Sequence, residues 1–590
     1  MSIGYKEKGG NNSRTVKRYI PVVYVSFHTK DKCYQLKGEI TEEGKQLDPT
    51  YQVISVTTHK QMSAPAGTFS IQLAGIAWMS RLTPNDLVVI QMGYKKPDGK
   101  EDVQTVMVGL IDTIGRTRTA QTPPVATTTV TGRDLAKVLI KSQLRFYPEV
   151  GMDNRDGEKF FLTDEGWITL MNVFTAETIV KGTPAVVLDN IMRYILPKLN
   201  SVEWTIWDES KKEPVPKKVD VTNILRYNFG KVDIFLPMIF TADQYEGSIW
   251  NLMERASIKP FTELFVDVRS ADEAWNKGDR PRVVNETIEE GSDDSKAKYP
   301  KGDGYYPSPR VGFGQDNSAV MVVLRNTPFD KGMWEKLYTH DLLAEDVIEE
   351  ELSISDNEHY NLFWAGTVIN PLGFDLKRVV PPMFNEEDAK RYGLSPLEVS
   401  IEGLSIEQDN PEAPTLLEGL SKSWTAKLKA WFEKNHTYMS GTMRVRGKGD
   451  YRIGHRLVRK GIEREFYIEG VTQSFHVFES WETTLELTRG MPLGAAPDHL
   501  EYLDSSRDTQ APQRPTSQKT DDDIKLEYYT VKNGDSLWTI AAKPEVYGDS
   551  SKWTRLWDEN KEMLIERDSR NIANPGRYIY PGQVLRIPRG

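Results

Sequence analysis

Between Tyr19 and about Arg133, apolar and polar positions alternate with a period of two. In GTFSIQL, Phe69, Ile71 and Leu73 fall on one side and Ser70 and Gln72 on the other. That spacing lays the apolar side chains on one face of a sheet. YIPVVYVSF, YQVISVTT, DLVVIQMGY, VQTVMVGLIDTI and VATTTVTG read the same way, rich in Val, Ile, Thr and Tyr and bounded by Gly, Pro, Asn and Asp. KKPDGK between two of them is a turn. Six such strands predict a sandwich or small barrel over residues 1–133.

The period then changes. GRDLAKVLI places Leu135, Val138 and Leu139 at helical spacing, opening a mixed α/β region, residues 134–318. Thr183 and Pro184 suit the N-cap and first position of a helix whose apolar face is Val187, Leu188, Ile191, Met192 and Ile195. Ser248 is placed to cap a second, with Ile249, Leu252, Met253 and Ala256 along one side. ELFVDV and AVMVVLR read as strands. Between them, residues 270–318 hold GDRPR, EEGSDDSKAKYPKGDGYY and few apolar positions, which predicts an acidic surface loop. In residues 319–491, SKSWTAKLKAWF spaces Trp424, Leu428 and Trp431 for one helix face, and REFYIEGVTQSF and SWETTLELTRG are strand-like. Residues 492–525 are rich in Pro, Ser, Asp and Gln and read as a flexible linker. Its mean reach is on the order of 30 Å. Residues 526–590 return to dense aromatic and apolar content.

A length of 590 residues fits this division, since domains average about 150 residues. The 75 basic and 85 acidic residues leave a net charge of −10, against the basic excess of a dedicated nucleic-acid binder. One cysteine, Cys33, excludes an internal disulfide and a Cys-cluster zinc site. No run approaches 18 apolar residues, so no membrane anchor is expected. MSIGYKEKGGNNSRTVKRYI lacks the apolar core of a signal peptide, so synthesis and folding in a reducing cytoplasm are expected.

Candidate chemistry is sparse. No two of the eight histidines, His28, His59, His340, His359, His436, His455, His476 and His499, lie three or four apart, so no helical metal pair is expected. Each reads as a hydrogen-bonded surface or core histidine. There is no G-x-S-x-G elbow and no Walker loop; RVGFGQDN and VRGKGDYRIG read as turns. Cys33, in DKCYQL, reads as an inert thiol. Carboxylates are many, but none forms a distinguishable pair. ETIEEGSDDS and TDDDIK read as solvated loops. No catalytic residue, metal site or cofactor is expected, and the chain reads as a non-enzyme.

The C-terminal segment resembles a LysM domain, through YYTVKNGDSLWTIAAK, WTRLWDENK and NPGRYIYPGQVLRIP. The resemblance implies a βααβ fold: Tyr529 and Val531 in the first strand, Asp535 capping a helix, and Trp553, Leu556 and Trp557 on a second. Pro581-Gly582 turns into the last strand. LysM domains often bind N-acetylglucosamine-containing glycans between two loops. Here these would be Asn533, Gly534, Asp535, Ser536 and Leu537, with Asn574, Pro575, Ile579, Tyr580, Pro581 and Gly582. EMLIERDSRNIANPGRYIY is longer than the usual link to the last strand. It resembles instead the LysM modules of phage baseplate proteins, which hold other proteins.

The preceding residues resemble, through several segments in order, the tail hub proteins of phages and contractile injection machines. VMVGLIDTI with VTGRDLAKVL, then EGSIWNLMERASIKPFTELFVD, VVLRNTPFDKGMWEKL, SDNEHYNLFW and KRYGLSPLEVS carry the likeness. GTMRVRGKGDYRIGHRLVR, REFYIEGVTQSF and TTLELTRG close it. The resemblance implies an α+β, mainly β chain: two hub-type β-barrels with an α/β region between them. It implies a homotrimer offering six similar barrels, between a six-fold tail tube and a three-fold spike. Expected partners are tail tube, spike and baseplate wedge proteins, with DNA passing through the lumen unbound. The expected location is the virion baseplate, assembled in the host cytoplasm. The alternative is a peptidoglycan-binding or cell-wall-degrading tail protein that uses LysM on glycan.

Overall fold

The computed structural model describes residues 19–40, 52–120, 125–145, 202–208, 215–229, 246–270, 318–328, 331–367, 380–401, 413–496 and nearly all of 528–588, with isolated positions and short strands between. The chain divides into two compact units, residues 1–509 and 510–590. Almost all of the linker 492–525 and of the acidic segment 270–318 lies outside the described residues.

The larger unit is built on one 13-stranded sheet. Its first part comprises β1 (Ile20–His28), β2 (Cys33–Glu39), β3 (Val53–Gln61), β4 (Thr68–Ala74), β5 (Leu87–Lys95), β6 (Glu101–Thr119) and β7 (Val125–Asp134). All six strands expected from the alternation are present. A seventh, β2, is added: its one buried apolar side chain is Leu36, and its polar positions instead pair Lys37 with Glu39 and Glu101. The strands run in the order β3-β4-β7-β6-β5-β1-β2. The sheet curls until β2 approaches β3 again, where a Cβ on Gly38 would stand 3.1 Å from the Val53 carbonyl oxygen. Val23, Val25, Phe27, Phe69, Ile71 and Ile90 fill this barrel-like half. β5 breaks the alternation because both its faces are covered. Val88, Ile90 and Met92 enter the barrel core, and Leu87 and Val89 the neighbouring α/β core.

The second half comprises β8 (Thr339–Leu342), β9 (Val347–Ser353), β10 (Met439–Arg446), β11 (Arg456–Arg459), β12 (Arg464–His476) and β13 (Trp481–Pro492). β9-β10-β13-β12 form its main path, and β11 pairs with β12 and β8. β12 also pairs antiparallel with β3, from Gly470 opposite Gln61 to His476 opposite Ser55. That ladder makes the two halves one sheet. β12 serves both: Phe466, Ile468 and Val471 fill the second core, while Phe475 enters the first with Val477 and Trp481.

The α/β layer holds helices α1 (Ala136–Lys141), α2 (Ile249–Ala256), α3 (Glu386–Tyr392) and α4 (Ala413–Phe432). Ser248 caps α2 as its position predicts, accepting from the Asn251 amide at 3.1 Å, and Ile249, Leu252, Met253 and Ala256 are buried. Trp424, Leu428 and Trp431 of α4 are buried as the spacing predicts. The helix expected after Thr183 lies largely outside the described residues; Leu188, Ile191 and Met192 are buried. Strands Thr262–Ser270 and Ser318–Asn326 pair antiparallel. Val320, Val322 and Leu324 face the α/β core, whereas Met321 and Val323 face the second barrel core. The continuous apolar run AVMVVLR thus belongs to a wall shared by two cores.

Buried polar groups lock the three bodies together. The Arg452 guanidinium donates to the carbonyls of Thr105 at 2.6 Å, Val268 at 2.8 Å, Gly449 at 2.5 Å and Tyr451 at 2.9 Å. Arg325 donates to Glu263 at 2.8 Å and to the Tyr467 hydroxyl at 3.0 Å, and Tyr467 donates to Glu263 at 2.5 Å. Burial, with Glu263 beside it, pushes the Tyr467 phenol well above its ordinary range.

Phe475 is 1% exposed and delivers β12 into the first core. Phe475→Ala should destabilise the larger unit by about 3–5 kcal/mol through lost burial and the cavity left. Scanning calorimetry should register this as a downward shift of the larger unit's transition alone. An unchanged larger-unit transition would show that β12 is not part of that core.

Candidate functional site

The smaller unit carries the loops singled out by sequence. β14 (Tyr528–Thr530) and β15 (Val584–Arg586) pair antiparallel, with Tyr529 opposite Leu585. Two helices, α5 (Leu537–Ala541) and α6 (Trp553–Arg567), lie between them in sequence. The core is Tyr529, Val531, Leu537, Ile540, Leu556, Leu564, Leu585 and Ile587. This is the βααβ arrangement expected.

A capping box fixes the start of α5, and buried asparagines tie α6 and the turn after it to their neighbours. Ser536 and Thr539 form a reciprocal capping box on α5. Asp535 is therefore not the cap that the sequence suggests. Its carboxylate accepts from the Tyr529 hydroxyl at 2.7 Å and the Lys532 amide at 2.8 Å, and pairs with Lys543. Buried Asn560 ties α6 to β15, donating to the Arg586 carbonyl and accepting from the Arg586 amide, both at 2.8 Å. Asn571, fully buried, donates to the carbonyls of Leu564 at 3.0 Å and Tyr578 at 2.9 Å and accepts from the Tyr578 amide.

These pins bring the two loops together. The Val531 amide donates to the Gln583 carbonyl, and the Gly582 amide to the Val531 carbonyl, both at 2.8 Å. Gly576 has φ +69°, and a Cβ there would stand 2.4 Å from the Leu537 side chain. Only glycine permits that approach. Of the residues expected at the site, Gly534, Ser536, Asn574, Pro575, Tyr580, Pro581 and Gly582 are exposed. Ile579 packs partly against the core, and Asn533 lies outside the described residues. Leu537 is buried, so it positions the loop from beneath instead of offering surface. Trp553 and Trp557 pack on the core, whereas Trp538 is 57% exposed.

The second loop holds an ionic cluster that the motif did not reveal. Tyr580 donates to Asp568 at 2.6 Å, and Arg570 donates to Asp568 at 2.7 Å and to the Tyr580 hydroxyl at 3.1 Å. The Arg570 guanidinium also stacks 4.2 Å from the Tyr578 ring centroid. The only sequence signal was the close spacing of Asp568, Arg570, Tyr578 and Tyr580. In the larger unit, sequence spacing missed a different grouping: His359, Asp388 and His436 converge.

Residues 529–588 match the LysM domain family. The chain is 43% identical over 89 residues to the uncharacterized protein YqbP of Bacillus subtilis, covering 15% of this chain and 40% of YqbP. It is 42% identical over 62 residues to the potassium binding protein Kbp of Escherichia coli, covering 10% of this chain and 34% of Kbp. The chain thus spans well under half the length of either curated relative. A crystal structure of the tail protein from Neisseria meningitidis MC58 aligns at 9% identity and a TM-score of 0.37, covering 79% of this chain and 96% of that one.

Hydrogen bonds from Arg570 and then Tyr580 hold the Asp568 carboxyl well below its ordinary range. A carboxyl depressed in the folded state stabilises fully above the unfolded value, about 3.9, and that contribution disappears as pH falls through the folded value. Carbon-detected NMR should therefore find Asp568 ionised at pH 3, where free aspartate is mostly protonated. Tyr580→Phe should move its midpoint upward. A wild-type midpoint at the free value would remove this cluster from the loop's architecture.

Proposed function

We propose that this chain is the structural hub of a contractile phage tail or related injection machine, adapting a six-fold tube to a three-fold spike. The observation that carries the reading is the pair of barrel-like half-sheets joined side by side through β3 and β12. A chain with two related halves at a fixed angle lets a trimer offer six near-equivalent surfaces. One face of that ring would meet the tail tube and the other the spike, with wedge proteins around it and DNA passing through the lumen. The role is mechanical, and no catalytic step is assigned to it. Among the described residues no helix is long and apolar enough to cross a membrane.

The LysM domain acts, in this reading, as a tethered clamp on a neighbouring baseplate protein. Exposed Trp538 and Tyr580 beside the paired loops suit an aromatic protein contact. Tethering through the polar segment 492–525 raises the local concentration, so a weak contact repeated in a trimer holds.

Native mass spectrometry of the purified chain, and reconstruction of the particle, should both report three copies. Six copies, or a dimer built into the particle, would defeat the hub role.

Deletion of residues 526–590 separates clamp from glycan binder. The clamp predicts that the deletion gives incomplete or unstable baseplates with little change in sacculus affinity, and that the full chain does not clear a sacculus suspension. Normal assembly, with micromolar capture of the full chain on sacculi that the deletion abolishes, would put glycan recognition in its place.

A further inference from the structure

His359, Asp388 and His436 come from three separate segments. His359 lies in the turn before the strand Leu362–Thr367, Asp388 in the first turn of α3, and His436 in the 3₁₀ turn Asn435–Thr437 that follows α4. One ligand atom from each lies within 4.8 Å of the other two. His359 is 5% exposed, and its Nε2 stands 2.5 Å from an Asp388 carboxylate oxygen. The His436 ring meets His359 edge-on at 88°, with centroids 4.6 Å apart. The Tyr392 ring covers both imidazoles, at 4.5 Å from His359 and 5.8 Å from His436.

A His359–Asp388 hydrogen bond accounts for two members of this group but not for the third. The Nδ1 atom of His436 is buried with no hydrogen-bond partner. A buried ring nitrogen without a partner is costly. A cation accepting a lone pair from one nitrogen of each ring and from the carboxylate would engage all three side chains.

The surrounding polar contacts hold the three segments in place independently. Asn361 accepts from the Ser395 amide at 2.8 Å and donates to the Gly393 carbonyl at 2.6 Å, while Ser395 donates to the His359 carbonyl at 2.6 Å. Asn385 caps α3 through the Asp388 amide at 3.2 Å and donates to Glu433 at 2.9 Å, just before the His436 turn. Asn435 donates to Glu358 at 3.0 Å and accepts from Arg489 at 2.6 Å. These contacts fix the backbone from which the three side chains project.

We propose that His359, Asp388 and His436 form a binding site for a divalent transition metal of the zinc class. Two imidazoles and one carboxylate are a borderline donor set, suited to zinc and poorly suited to calcium or magnesium. Zinc takes nitrogen and oxygen ligands at about 2.0–2.2 Å, which places tetrahedral ligands about 3.3 Å apart. The His359–Asp388 contact, now 2.5 Å, must open to that spacing, and the three ligand atoms already lie within 4.8 Å of one another. The fourth position falls to water or to a group from outside. The bound ion would staple the His359 turn, α3 and the end of α4, three segments otherwise joined by hydrogen bonds and packing.

The test uses the full chain. After dialysis against trace zinc and then buffer, elemental analysis should find one zinc per chain, and added zinc should raise the unfolding temperature of the larger unit. Losing an outer contact typically weakens a metal site about 10–100-fold. His436→Gln and Asp388→Asn, which remove ligands, should weaken zinc binding by at least that much, with His476→Gln as the unaffected control. Substoichiometric zinc in the wild type, or equal zinc in folded ligand variants, overturns the site. If a variant misfolds, zinc-edge X-ray absorption on the wild-type chain decides. Two imidazoles in the coordination shell support the assignment, and fewer overturn it.

Discussion

The antiparallel pairing of β3 with β12 is the constraint on which the larger unit rests. It joins residues 55–61 to residues 470–476 and turns two half-sheets into one. Closing so long a loop is not prohibitive, because closure entropy grows only logarithmically, about 0.6 kcal/mol for each doubling of length. Non-local pairing of this kind pays its entropy before it gains its contacts, which slows folding. Once formed, it carries Phe475 and Trp481 into the first core, and their burial holds the pairing in turn. His59 and Thr472 add a side-chain hydrogen bond of 2.9 Å across the same junction. Neither half can rotate against the other without breaking both the ladder and the packing.

Much of this fold was legible because period-two patterning is local. β1 and β3 to β7 announced themselves, and so did the cap at Ser248 and the Trp424–Trp431 face. β2 did not, because a strand whose polar side chains pair with one another carries no apolar stripe beyond Leu36. The choice of β3 as partner for β12 left no local trace either. Alternation says which face is buried but not against what. Ser318–Asn326 was readable as a strand for the same reason that its role was not: both its faces are apolar, and each serves a different core.

The candidate sites divide along the same line. The LysM motif is contiguous, so its fold and loops could be placed residue by residue. What the motif did not distinguish is which residues support the loops from inside. Leu537 is buried beneath Gly576, while Asn560 and Asn571 spend their amides on backbone groups. His359, Asp388 and His436 are separated by tens of residues, and only the packing of α3 and α4 brings them together. A helical i, i+4 rule searches one element at a time and cannot see such a group.

The polar groups buried at the junctions hold the parts of the larger unit at fixed angles. Apolar packing is non-directional, and two oily faces tolerate sliding at small cost. Hydrogen bonds are directional and weaken steeply when bent. Arg452 reaches carbonyls on β6, on Thr262–Ser270 and on the turn before β11, so each of the three bodies fixes the angle of the other two. Arg325, Glu263 and Tyr467 do the same between the α/β wall and β12. Removing one partner would strand a buried charge, which typically costs about 3–5 kcal/mol. Shear between the bodies is opposed by the same penalty. The adaptor role proposed above requires orientation held in this way, and the smaller unit folds around a core of its own.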